Sequence, residues 1–270
     1  MVILGLSPSV LGMIGNMNEM IKFALTITEQ ASEIPRRYFR SGFEVDHKLD
    51  ESPVTIADHE TEQFIRSALQ TQFPDHAIFG EEFGRDNIDS EYEWIIDPID
   101  GTRSFVSGMP LYGMLLALLK KGEPQFGIIR MPELGEVYVG DGKTTRRNSS
   151  EFLSTSNTVS LSDAIVYINE GEKIAHKNAE LFSRLTSSGR VMRLSYDCYP
   201  HALLAAGEID LVIDFDLKPY DYFSLIPVIE GAGGIITDWQ GQTLTMASKG
   251  DVISAATPAL HQQAMALINT

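Results

Sequence analysis

The chain has 270 residues, 43% of them hydrophobic and 21% charged, and a formal net charge of −16. That length builds one large domain or two compact halves. The acidic balance excludes a nucleic-acid backbone or an anionic membrane as the expected partner, but a small phosphate ester stays open if cations supply positive charge locally.

Residues 1–17 read as a loose N-terminal extension, with no basic segment that would mark a secretory leader. Met20, Phe23, Ala24, Ile27 and Ala31 recur at helical spacing and predict a helix over about 18–40, which Pro35 kinks or ends. Residues 42–52 read as a polar loop. A helix over about 59–72 turns Phe64, Ile65, Ala68 and Leu69 inward and stops at Phe73-Pro74. Ala77-Ile78-Phe79 is a short strand ending at Gly80-Glu81-Glu82. Residues 111–120 and 124–130 form a hairpin about Lys121-Gly122-Glu123, and 136–139 add a strand. The polar stretch 141–160 is the expected boundary between an N-terminal half (18–150) and a C-terminal half (151–270). The second half alternates: strand 164–168, helix 175–188, helix 197–206 closed by Gly207, strand 209–214, helix 221–232, strands 234–238 and 252–256, and a last helix from 258. No apolar run reaches the roughly 18 residues of a membrane span. The single cysteine, Cys198, can form no intrachain disulfide and fits a reducing cytoplasm. The mixture predicts a layered α+β architecture.

The chemistry concentrates in residues 94–102, Trp-Ile-Ile-Asp-Pro-Ile-Asp-Gly-Thr. An apolar strand runs into Asp97, and Pro98, with no N–H to give, is expected to end the ladder. Asp97 and Asp100 can share a cluster of hard cations, while the amides of Gly101, Thr102 and Arg103 could hold a phosphate. The alternative is an acidic turn that caps the next segment. Asp58, Glu81, Glu82 and Asp221 stand at other changes of chain direction. Carboxylates brought together repel unless cations neutralise them, and an all-oxygen set suits Mg²⁺; no His/Cys spacing suits zinc.

Taken together, Pro53-Val-Thr-Ile-Ala-Asp58, Gly80-Glu-Glu82, Trp94 through Thr102, Tyr220-Asp221 and Glu230-Gly-Ala-Gly-Gly234 resemble the inositol monophosphatase-like family of Mg²⁺-dependent, lithium-sensitive phosphatases, in the family's order across residues 20–260. The resemblance implies an α-β-α-β-α sandwich, a cytoplasmic homodimer and two or three Mg²⁺ ions. It implies one ion on Glu81, Asp97 and the Ile99 carbonyl, a second on Asp97, Asp100 and Asp221, and a weaker third near Glu81. Thr102 and Asp58 would pair to orient the attacking water, so that Asp58, Glu81 and Thr102 carry catalysis.

Three segments, Arg103-Ser104-Phe105, Ser195 through Tyr199 and Leu217 through Asp221, resemble the histidinol-phosphate phosphatase branch. Histidinol phosphate carries an ammonium and an imidazole, so Asp197 and Asp214 are expected to face a cationic substrate. Asp197 could instead cap the following helix. Arg103 is expected to meet the phosphate or an acidic neighbour, or else to be a surface arginine, and Lys48 is expected to approach the substrate from the 42–52 loop. The alternatives are an inositol-1-phosphate or broad sugar-phosphate phosphatase and a catalytically silent metal-binding scaffold.

Overall fold

The structure, a computed structural model, describes residues 8–42, 45–47 and 53–270. Chain order gives α1 (Pro8–Tyr38), β1 (Val45–His47), β2 (Pro53–Thr55), α2 (Ile56–Gln72), β3 (Ala77–Gly80), β4 (Gly84–Arg85), β5 (Tyr92–Asp100), α3 (Thr102–Val106), β6 (Gly113–Lys120), β7 (Glu123–Met131), β8 (Glu136–Gly140), β9 (Thr145–Arg147) and β10 (Glu151–Leu153). The C-terminal part gives β11 (Ile165–Asn169), α4 (Gly171–Lys177), α5 (Ala179–Thr186), β12 (Val191–Ser195), α6 (Tyr199–Ala205), β13 (Leu211–Asp214), α7 (Pro219–Tyr222), α8 (Leu225–Gly231), β14 (Ile235–Asp238), β15 (Val252–Ala255) and α9 (Pro258–Ile268).

Strands β3 to β10 form an eight-stranded sheet in the order β10-β9-β8-β7-β6-β5-β3-β4, and the last five strands form a second sheet in the order β12-β11-β13-β15-β14. In the large sheet the β3–β5 pair is parallel and its other pairs are antiparallel. Alternation along β5 divides its side chains between two cores. Trp94 and Ile96 pack with Ala24, Ile27 and Ala31 of α1 and Ile65 and Leu69 of α2. Ile95 faces the opposite way, onto Ala202 and Leu204 of α6 and Val228 and Ile229 of α8, and that core also takes Val212 and Val252 from the second sheet. The far face of the second sheet is covered by Leu181 and Leu185 of α5 and Leu260 and Ala264 of α9. The layers therefore run helix, sheet, helix, sheet, helix, the expected sandwich.

Several local expectations change. Helix α1 starts at Pro8, so residues 8–17, expected to be loose, belong to it, and it runs past Pro35 to Tyr38. The polar stretch 141–160 contributes β9 and β10, which extend the large sheet through Thr145 and its neighbours. The helix expected over 175–188 is broken at Asn178, whose side chain caps α5 by accepting from the Leu181 N–H at 3.0 Å. The helix expected over 221–232 is two short helices, α7 and α8. Gly207 does follow α6, at φ 75°, as a helix-stopping residue. Among the described residues no helix is long and apolar enough to cross a membrane.

Candidate active site

The site is built on the end of β5. Pro98 does not end the ladder: the strand continues to Asp100, and its register with β6 shifts between the Asp97–Leu115 and Asp100–Gly113 pairs. In a regular strand, residues three apart point to opposite faces. The additional residue of the bulge brings Asp97 and Asp100 to one side and lets a proline sit where no donor is required. The Asp97 Oδ1 accepts from the Ile99 N–H at 3.0 Å, which fixes the carboxylate. Gly101, at φ 89°, reverses the chain into α3.

Two other elements complete the cluster. Asp221, in the first turn of α7, accepts from the Lys218 N–H at 2.6 Å. Ligand oxygens of Asp97, Asp100 and Asp221 lie within 4.8 Å of one another. Glu81 follows β3, and its N–H donates to the Ile96 carbonyl at 3.1 Å, which sets it beside β5. That turn is held from beneath by Glu62 of α2, a fully buried carboxylate that accepts from the Glu82 N–H at 2.7 Å and pairs with Arg66 at 2.7 Å. A Cβ on Gly80 would lie 2.0 Å from the Glu62 Oε1, so only glycine permits this close support.

Burial dominates the electrostatics. It raises Asp97 well above the usual carboxylate range, reinforced by Glu81, Asp100 and Asp221. Burial also raises Asp100, with Asp197 and Asp221 adding to it, although the Cys198 N–H hydrogen bond works the other way. Asp221 is pushed up to about 8, by burial first and Glu81 next. Asp97, Asp100 and Asp221, whose charge burial disfavours, form with the neighbouring Glu81 an all-oxygen donor set, which a hard divalent cation fits and a soft one does not.

Beside this cluster, Asp58 begins α2. Its Oδ2 accepts from both the Thr55 N–H, at 2.8 Å, and the Thr55 hydroxyl. The Thr102 hydroxyl reaches Asp58 Oδ1 at 3.3 Å and the Ile99 carbonyl at 3.2 Å. The predicted Asp58–Thr102 pair is therefore formed, and it adjoins the Ile99 carbonyl.

The residues expected to meet the substrate are placed less uniformly. Asp197 does not cap α6. Cys198 occupies that position, while the Asp197 carboxylate accepts from the Ser104 hydroxyl. It lies so near Gly101 that a Cβ there would stand 2.5 Å from its Cγ. Burial pushes Asp197 up to about 6, against the Ser104 hydrogen bond. Asp214 is 2% exposed, and its oxygens accept from Asn169, His201 and the Phe215 N–H, all inside the protein. Arg103 is exposed and meets an acidic neighbour, Glu172, at 3.7 Å. Lys48 lies outside the described residues.

Sequence reasoning missed Glu62, Ser104, Asn169 and His201. Glu62 could have been found, since it lies one helical turn after Asp58 and on the same face. Ser104 stands in the Arg103-Ser104-Phe105 segment but was given no role there, and Asn169 and His201 have no local signal.

Comparison with known proteins agrees with this geometry. The model described as the inositol monophosphatase family matches residues 16–270. The chain is 41% identical over 260 residues to a chloroplastic bifunctional phosphatase of Arabidopsis thaliana, covering 92% of this chain and 75% of the relative. It is 34% identical to a histidinol-phosphatase of Chlorobaculum parvum, over 85% of this chain and 90% of that one. Among solved structures, an inositol monophosphatase from Zymomonas mobilis superposes with a TM-score of 0.84 at 35% identity, covering 94% of this chain and 98% of that one. Kinship over almost the whole length, on a fold that gathers buried carboxylates at one strand end, means that the chain belongs to the inositol monophosphatase family and is a phosphoric monoester hydrolase.

Proposed function

We propose that the protein hydrolyses L-histidinol phosphate with Mg²⁺ as its metal. The observation that carries this reading is the Asp197 carboxylate, held by Ser104 against Gly101 at the edge of the metal-ligand cluster. A neutral polyol gains only a hydroxyl hydrogen bond from a carboxylate there, whereas a substrate bearing an ammonium two carbons from its phosphate ester oxygen gains an ion-paired one. With a pKa of about 6, Asp197 is mostly ionised at neutral pH. Relatives in Chlorobaculum parvum and Mycobacterium tuberculosis, at 34% and 30% identity, carry the name histidinol-phosphatase.

In this reading Glu81, Asp97, Asp100, Asp221 and the Ile99 carbonyl would hold Mg²⁺. When bound, Mg²⁺ supplies positive charge to the phosphate and makes water acidic enough to act as a nucleophile near neutral pH. Asp58 is anchored through Oδ2 by Thr55, and its Oδ1 accepts the hydrogen bond of the Thr102 hydroxyl. The Thr102 oxygen can then accept a hydrogen bond from the attacking water and aim it at phosphorus. The N-terminal amides of α3, at Gly101, Thr102 and Arg103, would orient the phosphate oxygens. Most of the catalytic gain is positioning and charge stabilisation, as phosphoryl transfer requires.

The second reading, inositol-1-phosphate hydrolysis, is favoured by the 35% identity to the Zymomonas mobilis protein. Steady-state phosphate release separates the two. The expected kcat/KM for histidinol phosphate exceeds that for inositol-1-phosphate by about tenfold or more, the worth of one charged hydrogen bond. Asp197→Ala should erase most of that margin. Equal values for the two esters in the native enzyme would refute the assignment.

A further inference from the structure

The Asp197 turn is built by a buried chain of side chains that none of the chemistry above uses. Asp197 has a left-handed backbone, φ 64°, an unfavourable conformation for a residue with a Cβ. Three contacts hold it there. Ser104 takes its carboxylate, the following N–H of Cys198 donates to Asp100, and its own carbonyl accepts from Asn169 Nδ2 at 3.0 Å.

Asn169 is fully buried at the C-terminal end of β11. The same Nδ2 also donates to Asp214 Oδ2, at 2.6 Å, so both amide hydrogens are engaged. Asp214, at the end of the neighbouring β13, also accepts from His201 Nε2 at 3.0 Å. The other ring nitrogen meets Ser254 of β15 at 2.9 Å. The chain Ser254–His201–Asp214–Asn169 thus crosses three adjacent strands and ends on the Asp197 carbonyl.

The Asn169 amide has one permitted orientation. A flip would set its oxygen against the Asp214 carboxylate and the Asp197 carbonyl, two acceptors. In the observed orientation Asn169 Oδ1 is buried without a hydrogen-bond partner. An orphaned acceptor weakens a fold, so what this position gains is the pair of donors. Leucine or aspartate would fill the same space and offer neither.

We propose that Asn169 is a positioning residue that fixes the Asp197 turn, and that Asp214 and His201 orient Asn169 and do not touch the substrate. The inference rests on the reading of Asp197 as the contact for the substrate's cationic end, and it moves Asp214 from the substrate to the scaffold.

The test combines kinetics with a crystal structure. For Asn169→Ala, the ratio of kcat/KM for histidinol phosphate to that for a neutral phosphomonoester such as glycerol phosphate should fall about tenfold, mainly through KM for the cationic ester. Asp214→Leu, which stays close in volume and leaves the Asn169 donor without its carboxylate acceptor, should give the same fall. The double variant should be no worse than either single one, since both act through one bond. A multiplicative loss in the double variant would put Asp214 on the substrate and overturn the proposal, as would an equal loss on both esters. A crystal structure of Asn169→Ala should show Asp197 out of the left-handed region and parted from Ser104; an unchanged turn would overturn the proposal whatever the kinetics. If the native enzyme shows no preference for the cationic ester, the substrate reading fails, and the structure of the variant alone decides the role of Asn169.

Discussion

The carboxylate cluster and the Asp197 turn meet at Gly101, yet they are held in different ways. Much of the cluster's bracing is local. Asp58 is fixed by Thr55, Asp97 by the Ile99 N–H and Asp221 by the Lys218 N–H, over separations of three, two and three residues. The Asp197 turn is fixed by Ser104, Asn169 and, through Cys198, Asp100, at separations of 93, 28 and 98 residues. The cluster is braced largely by its own turns, and the Asp197 carboxylate by contacts that close only when α3, β5 and the second sheet have come together.

The largest effect is expected from Asp97→Asn. Asp97 sits where Glu81, Asp100 and Asp221 converge, and a carboxamide cannot supply the charge that holds a cation against them. Activity should drop about 10³-fold or more, since the metal's charge stabilisation is worth several kcal/mol. Stability should move the other way in the absence of metal. Because burial and like charges raise Asp97, its ionised form opposes folding at neutral pH, and a neutral amide relieves that. Thermal unfolding should therefore show a higher midpoint for the metal-free variant, and adding Mg²⁺ should raise the midpoint of the native protein but not that of the variant. A variant that still gains stability from Mg²⁺ like the native protein would break the claim that Asp97 anchors the metal.

Gly101→Ala attacks the junction itself. The new methyl would stand 2.5 Å from the Asp197 Cγ, and φ 89° does not suit alanine. Asp197 and the start of α3 must separate, so both the α3 amides proposed to hold phosphate and the Asp197 carboxylate shift. A displacement of about 1 Å is enough to lower turnover roughly 10²-fold. Phosphate release from both esters should fall together, in contrast to Asn169→Ala, which alters their ratio. A change confined to one ester would mean that the two regions are not mechanically joined at Gly101.

The same contrast explains what could be read from the sequence. Thr55 to Asp58, Asp97 to Thr102 and Lys218 to Asp221 are short motifs, and the hydrogen bonds that shape them close within those motifs. A layered mixture of helices and strands was legible too, from the alternation of apolar runs and turn signals, while the order of the layers came only with the family resemblance. What escaped depends on distant partners. Pro98 reads as a stop, and only pairing with β6 turns it into a bulge. β12 is an edge strand with Val191 and Leu194 exposed, so it lacks the buried alternation that announces a strand. Asn169, His201 and Ser254 stand in three separate elements and meet only after the second sheet forms.

The smallest expected effect is a pH dependence that belongs to neither region. His76 lies between Phe73 and Tyr92, with ring centroids 4.9 and 4.8 Å away, and its Nδ1 accepts from Trp94 Nε1 at 3.1 Å. Burial lowers its pKa below 6.5, opposed by Asp75. A histidine kept neutral in the folded state contributes stability that is fully present above the unfolded value of 6.5 and is lost as pH falls from there toward the folded pKa, because the unfolded chain takes up the proton first. Asp197 works in the opposite sense. Its carboxyl is raised from 3.8 to about 6, so its ionisation opposes folding as pH rises through that window. Denaturant unfolding of native protein and His76→Gln at several pH values separates the two contributions. The stability difference between them should shrink as pH falls from 7 to 5, while the falling contribution of Asp197 stays in both. A difference that does not change with pH would show that His76 takes up its proton equally in the folded and unfolded chains, and that the ring stack and the Trp94 hydrogen bond do not hold it neutral.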